Sequence, residues 1–171
     1  SEIARQVARK ASKVILLDTN EYALYSIKNE IENLLPETEL HAVLGSVTNK
    51  KRITEICKAF AVDTVYHAAA YKHVPMMELN PFESIQTNIL GTKNIAELTA
   101  LYNVERFVLV STDKAVNPTN VMGCTKRIAE MVVQNTQREN HNTKFMTVRF
   151  GNVLGSSGSV IPLFRKQIES G

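Results

Sequence analysis

The chain has 171 residues, 44% of them hydrophobic, with 20 lysines and arginines against 17 aspartates and glutamates and a net charge of +3. That length suits one core of domain size and is short for two independent ones. The charges are dispersed and form no basic stripe, so nucleic acid is not an expected partner.

Residues 1 to 10 read as a helix. Short apolar runs of buried-strand length follow at Val14-Ile15-Leu16-Leu17, Leu40-His41-Ala42-Val43-Leu44, Thr64-Val65-Tyr66-His67, Phe107-Val108-Leu109-Val110 and Phe145-Met146-Thr147-Val148. Helical patterns fill the gaps at about residues 21 to 34, 49 to 60, 81 to 101 and 120 to 139. Asn80-Pro81 opens the third of these as a cap residue followed by proline at the first helical position. Strands alternating with helices predict an α/β fold, a doubly wound parallel sheet.

In such a fold, a helix at residues 1 to 10 follows a strand and a glycine-rich phosphate-binding turn. Here the chain opens at Ser1-Glu2-Ile3-Ala4-Arg5-Gln6 without either. The expectation is a segment that begins just after that turn and stops at Gly171, with residues 151 to 171 leading into a substrate-binding part. A fold that never had the turn is the alternative. Cys57 and Cys124 make no disulfide framework or metal-ligand spacing, so a reducing compartment and no metal are expected. No apolar run approaches the ~18 residues needed to span a bilayer, and the segment is expected to be soluble.

The densest chemistry lies at Ser111-Thr112-Asp113-Lys114, followed by Met122 and, four residues later, Lys126. Residues four apart share a helix face, where a cation can depress the pKa of a neighbouring acid. The arrangement resembles the active site of the short-chain dehydrogenase/reductases, with Met122 standing where that superfamily has a tyrosine. Methionine neither gives nor takes a proton, so proton transfer would pass to Asp113 and Lys114. The ordinary reading of those two is a solvated turn pair after a strand.

Further motifs extend the likeness over nearly the whole chain: His67-Ala68-Ala69-Ala70-Tyr71-Lys72-His73-Val74-Pro75, Asn88-Ile89-Leu90-Gly91-Thr92 and Arg149-Phe150-Gly151-Asn152-Val153-Leu154-Gly155. The sequence resembles the nucleotide-sugar 4,6-dehydratases of the extended short-chain dehydrogenase/reductase superfamily, most closely the bacterial capsular-polysaccharide type acting on UDP-N-acetylglucosamine. Long members of that family, with a membrane-spanning region before this domain, carry Met at the Met122 position. The resemblance thus implies a parent anchored in the bacterial inner membrane with this domain on its cytoplasmic face. The expected partners are a UDP-sugar and further copies of the chain.

NAD is the cofactor the resemblance implies. Asp18 ends the first strand run, where a carboxylate can hold both ribose hydroxyls and would repel a 2′-phosphate; the alternative is a helix cap near Asn20-Glu21. Ser46 stands where an adenine-binding Asp is common in the family. Ala68, Ala69 and Ala70 leave room for a cofactor near the backbone, though an alanine run is also ordinary packing. Asn88 is expected at the cofactor through the resemblance alone, since an isolated Asn is usually surface or capping. Lys72 and His73 are candidate diphosphate or sugar contacts, or plain surface charges.

The implied reaction is an internal redox cycle with loss of water between C5 and C6 of the sugar. Thr112 would position the 4-hydroxyl, Asp113 protonate the leaving 6-hydroxyl, Lys114 take the C5 proton, and Lys126 orient the nicotinamide ribose and supply positive charge. Asn152, with Val160 and Pro162 beside uracil, would belong to a substrate loop that includes Gly155-Ser156-Ser157-Gly158-Ser159; a flexible connector has the same composition. A neutral Asp113–Lys114 pair costs about 9 kcal/mol in water from reference pKa values, a cost that desolvation on substrate closure would have to remove. Two other functions compete: a nucleotide-sugar epimerase, disfavoured by Met122, and a noncatalytic NAD-sensing module, disfavoured by the retained Asp113 and Lys114.

Overall fold

All five apolar runs form parallel strands in the computed structural model, which describes residues 1–151 and 168–169. Two compact units emerge, Ser1–Phe60 and Ala61–Gly171. In the first, helix α1 (Glu2–Ala8) precedes strand β1 (Lys13–Asp18), helix α2 (Glu21–Leu34), strand β2 (Glu39–Leu44) and helix α3 (Lys50–Ala59). Strands β1 and β2 pair from Lys13↔Glu39 to Asp18↔Leu44. Their core gathers Ala8, Val14 and Ile31, with Ile27 and Leu40 packed against it. Asn20 and Asn49 start α2 and α3 by accepting from Ala23 N (2.9 Å) and Arg52 N (3.0 Å), so each helix begins at an orphan-donor cap.

The second unit is ordered β3-β4-β5. Strand β3 (Thr64–His67) is followed by short helices α4 (Val74–Leu79) and α5 (Pro81–Ser84), a π-helical stretch at Ile85–Gly91, and helix α6 (Thr92–Leu101). Strand β4 (Arg106–Thr112) leads through a 3-10 turn, Asp113–Ala115, to helix α7 (Val121–Glu139) and strand β5 (Lys144–Phe150). β4 alternates buried and half-buried positions, placing Phe107, Leu109 and Ser111 inward. Phe107 lies between the His67 ring at 6.0 Å and the Phe145 ring at 5.2 Å.

Two local readings are refined. Asn80 stands at the N-cap of the helix that starts at Pro81, as expected, but its side chain makes no cap hydrogen bond: α4 runs up to it, and the side chain donates to Met76 O at 2.9 Å. The helical path over residues 81 to 101 is present, but Ile85–Gly91 winds as a π-helix, in which one extra residue per turn re-aims the side chains beyond it. α6 closes with a left-handed Asn103 (φ 51°), where Val104 N reaches Thr99 O and Asn103 N reaches Ala100 O. No described helix is long and apolar enough to cross a membrane.

Candidate active site

The proposed catalytic residues sit where β4 ends and α7 begins. Thr112 is the last residue of β4, and its hydroxyl works in both directions: it donates to Asp113 Oδ1 at 2.9 Å and accepts from Lys114 N at 3.3 Å. Lys114 Nζ lies 3.3 Å from the same carboxylate oxygen. The Thr112 hydrogen bond, and then the Lys114 ammonium, hold the Asp113 carboxyl below the usual range. Both side chains are well exposed, so the pair stands as carboxylate and cation in water.

Helix α7 begins under two restraints. Asn120 Oδ1 accepts from Gly123 N at 2.8 Å, and Glu78 of α4 accepts from Val121 N at 2.7 Å. Gly123 is buried, and a Cβ there would lie 2.5 Å from the Lys114 carbonyl oxygen, so only glycine permits this approach of helix to turn. One residue before it, Met122 is 3% exposed. Lys126, one turn on, is 8% exposed and donates to Val110 O at 2.6 Å. Burial pushes its pKa down to about 8, against the opposing pull of Glu130. Cys124, between them, is exposed.

A second buried cluster centres on Asn88, within the π-helical stretch. Its Oδ1 accepts from Tyr71 N at 2.8 Å, while its Nδ2 faces Tyr71 O at 3.0 Å, Thr125 Oγ1 at 3.1 Å and Ser84 Oγ at 3.2 Å. Asn88 therefore clamps the loop after β3 to α7, and its amide is committed to protein groups. That loop carries Ala68, Ala69 and Ala70, of which the first two are exposed, and the exposed Lys72 and His73. Thr92 Oγ1 donates its one hydrogen to Asn88 O at 2.6 Å, so His67 Nε2, at 2.9 Å, must donate to Thr92. Burial, and next the Lys126 charge, push the His67 pKa down to about 3, and the ring is neutral.

In the first unit Asp18 and Ser46 lie at and just beyond the C-terminal ends of β1 and β2, the edge at which parallel sheets of this kind receive nucleotides. Asp18 Oδ1 accepts from Asn20 N at 2.9 Å, and the helix cap is Asn20, so the capping alternative for Asp18 falls away. Ser46 Oγ is taken up in a local turn with Thr48, 2.8 Å from its hydroxyl and 3.1 Å from its N–H. Asn152, Val160, Pro162 and the stretch from Gly155 to Ser159 lie outside the described residues.

One feature went unread in the sequence. Glu130 is 1% exposed and takes four hydrogen bonds: from Ser111 Oγ at 2.6 Å, Arg149 Nε and Nη2 at 2.8 and 2.7 Å, and Arg127 Nη1 at 3.0 Å. Burial alone would raise its pKa, but donation from Arg149, Ser111 and Arg127 outweighs it and brings the carboxyl down to about 2. Spacing held the available signal, since residues 122, 126 and 130 fall on one helix face.

Known proteins resemble this chain along its whole length. The family model described as polysaccharide biosynthesis protein matches residues 1–171. The chain is 56% identical over its full length to the capsular polysaccharide biosynthesis protein CapD of Staphylococcus aureus, covering 29% of that protein. It is 37% identical to the inverting UDP-N-acetylglucosamine 4,6-dehydratase of Campylobacter jejuni, over 95% of this chain and 47% of the other. A UDP-glucose 4-epimerase of Rickettsia canadensis is 38% identical over 92% of this chain and 47% of its own. The chain thus spans less than half the length of these curated relatives.

Among solved structures, Pen from Bacillus thuringiensis superposes with a TM-score of 0.88 at 34% identity, over 99% of this chain and 52% of that one. The dTDP-glucose 4,6-dehydratase DesIV of Streptomyces venezuelae, solved with NAD, gives 0.77 at 22%, over 94% and 54%. These likenesses identify the fold as the Rossmann type.

Proposed function

Because the chain belongs to the polysaccharide biosynthesis protein family, matched from its first residue to its last, we propose that it forms the NAD-binding, catalytic part of a UDP-N-acetylglucosamine 4,6-dehydratase. The observation that carries the reading is the pairing of an apolar, buried Met122 with the exposed Asp113–Lys114 pair across the Gly123 contact. A site without a tyrosine needs its acid and base elsewhere, and elimination of water needs one of each.

The residues fit NAD. Asp18 offers a carboxylate at the nucleotide-receiving sheet edge, and Ala68 and Ala69 are small and exposed after β3. When bound, NAD would supply reversible hydride acceptance: loss of the C4 hydride makes C4 of the sugar a ketone and acidifies the hydrogen on C5, and after water has left, the same hydride returns to C6 while C5 regains a proton from solvent. Thr112 then holds the C4 oxygen, Lys114 takes the C5 proton, and Asp113 protonates the departing 6-hydroxyl. Lys126 would orient the nicotinamide ribose and supply positive charge. The Thr112 bond and the Lys114 charge favour carboxylate at Asp113, so substrate closure must desolvate the pair before the acid role is available.

The similar identity to a 4-epimerase supports a second reading, inversion at C4 without loss of water. Incubating the intact protein with UDP-N-acetylglucosamine in deuterated water and following the sugar by NMR separates the two. A 4-keto-6-deoxy product carrying deuterium at C5 is expected. A C4-inverted sugar with an intact 6-hydroxyl would give the epimerase. Bound NAD with no turnover would move the assignment first to another sugar nucleotide, and then to a noncatalytic NAD-sensing module.

A further inference from the structure

Glu130 takes no part in the chemistry above, yet it is among the most buried ionisable side chains of its unit. Its ligands come from three elements. Ser111 and Arg149 are register partners on the neighbouring strands β4 and β5, and both reach Glu130 on α7; Arg127 adds a bond from the helix itself. The carboxylate thereby spans the β4–β5 pair. One turn earlier on the same helix face, Lys126 holds Val110 O, and Val110 precedes Ser111 on β4. Helix α7 is thus fastened to consecutive residues of the strand that ends in Thr112, once by an ammonium and once by a carboxylate.

We propose that Glu130 is a positioning residue for Lys126: bonded to Ser111 and Arg149, it fixes the register of α7 against β4 and so sets where the Lys126 ammonium stands and how firmly its charge is held. Only the identity of the reaction rests on the dehydratase reading. A carboxylate with four donors has all its lone-pair directions occupied, so it is rigid as well as charged. Removing it has two separable effects. The bond to Ser111 is geometric, whereas the negative charge acts through space on an ammonium one helical turn away. The elements packed against α7 bring other ionisable groups to this region: Glu78 from α4, Glu83 from α5, Glu97 from α6, Asp113 and Lys114 from the turn, and Arg149 from β5, while His67 of β3 feels the Lys126 charge. Of these, His67 couples to the Lys126 charge but is neutral through the physiological range, which leaves Glu130 as the anion that sustains it.

Two substitutions in the intact protein divide geometry from charge. Ser111→Ala removes the carboxylate's tether to β4 and leaves the carboxylate; Glu130→Gln keeps the shape and removes the charge. The Lys126 titration is read without turnover, from the pH dependence of its labelling by a small amine-reactive reagent, quantified by mass spectrometry. Turnover of UDP-N-acetylglucosamine is followed across pH in parallel. With Glu130→Gln, the Lys126 titration and the alkaline limb of kcat should both move down by on the order of one pH unit. With Ser111→Ala, kcat should fall about tenfold or more at unchanged pH limbs.

Unshifted labelling in a folded Glu130→Gln protein would overturn the charge role, and wild-type kcat in Ser111→Ala would overturn the geometric one. If Glu130→Gln fails to fold, Ser111→Ala alone decides the positioning. An enzyme inactive on every sugar nucleotide refutes the dehydratase reading but leaves the labelling curves to judge Glu130.

Discussion

Gly123→Ala is the sharpest structural perturbation available. At an open helical position, alanine stabilises by up to about 1 kcal/mol over glycine. At this position the added Cβ would meet Lys114 O at 2.5 Å, Pro118 Cβ at 3.1 Å and Asn120 Oδ1 at 3.3 Å. An unstrained contact needs about 3.4 Å or more, so the turn must retreat from α7 by roughly 0.9 Å. All three obstacles belong to the segment that carries Lys114, and one is a backbone atom that no side-chain rotation can move. Overpacking of this kind costs about 1–3 kcal/mol, which exceeds the helical gain. The intact variant should therefore melt a few degrees below wild type. Turnover should fall further than stability, by roughly a hundredfold, because Lys114 and Asp113 are displaced against Lys126 by close to an ångström. Thermal melting and a UDP-N-acetylglucosamine assay test both. A Gly123→Ala protein that melts above wild type with normal turnover would refute the close approach as the reason for glycine.

Lys114→Arg keeps the charge but removes any base, since a guanidinium does not deprotonate; kcat should fall by about 10²–10⁴ at every pH, and a pH–rate profile matching wild type would remove Lys114 from the mechanism. Asn88→Ala leaves both backbone groups of Tyr71 without their partner in a partly buried setting, and should cost about 2–4 kcal/mol in a denaturant melt. Acid should destabilise the fold between about pH 6.5 and 3. Unfolded His67 takes a proton below its ordinary pKa that the buried ring, with a pKa of about 3, refuses, so stability is lost as pH falls through this window, by about 5 kcal/mol in full. Glu130, depressed to about 2, loses its contribution in the same direction, below the ordinary glutamate pKa. His67→Gln, still able to donate to Thr92, should remove most of the slope above pH 4.5 in melts recorded across pH.

Strand positions were legible because each element is buried on its own pattern: all five apolar runs lie within the observed strands, and α2 occupies the expected residues 21 to 34. α4 was missed because six residues give too little period to read, with Pro75 among them. The π-helical turn leaves no trace in apolar spacing either, though it carries Asn88. Thr112, Asp113, Lys114, Met122 and Lys126 were visible as a local motif, since sequence neighbours and a four-residue repeat survive folding as spatial neighbours. Glu130 was not. A carboxylate flanked by charges on a helix reads as solvated surface, and only Ser111 and Arg149, each 19 residues away, make it an interior group.

That dependence on Arg149 has a consequence for how the chain is made. Strands of the second unit pair in the order of synthesis, β3 with β4 and β4 with β5, so each new strand meets a partner already present. Glu130 leaves the ribosome 19 residues ahead of Arg149, about one to four seconds at ordinary elongation rates. During that interval a seated α7 would enclose a carboxylate without its bidentate cation, a costly arrangement. The helix therefore docks fully only when β5 arrives. Of the described strands, the last to emerge is the one that locks Lys126 in place, and nascent chains halted before Arg149 should hold the motif residues without the site.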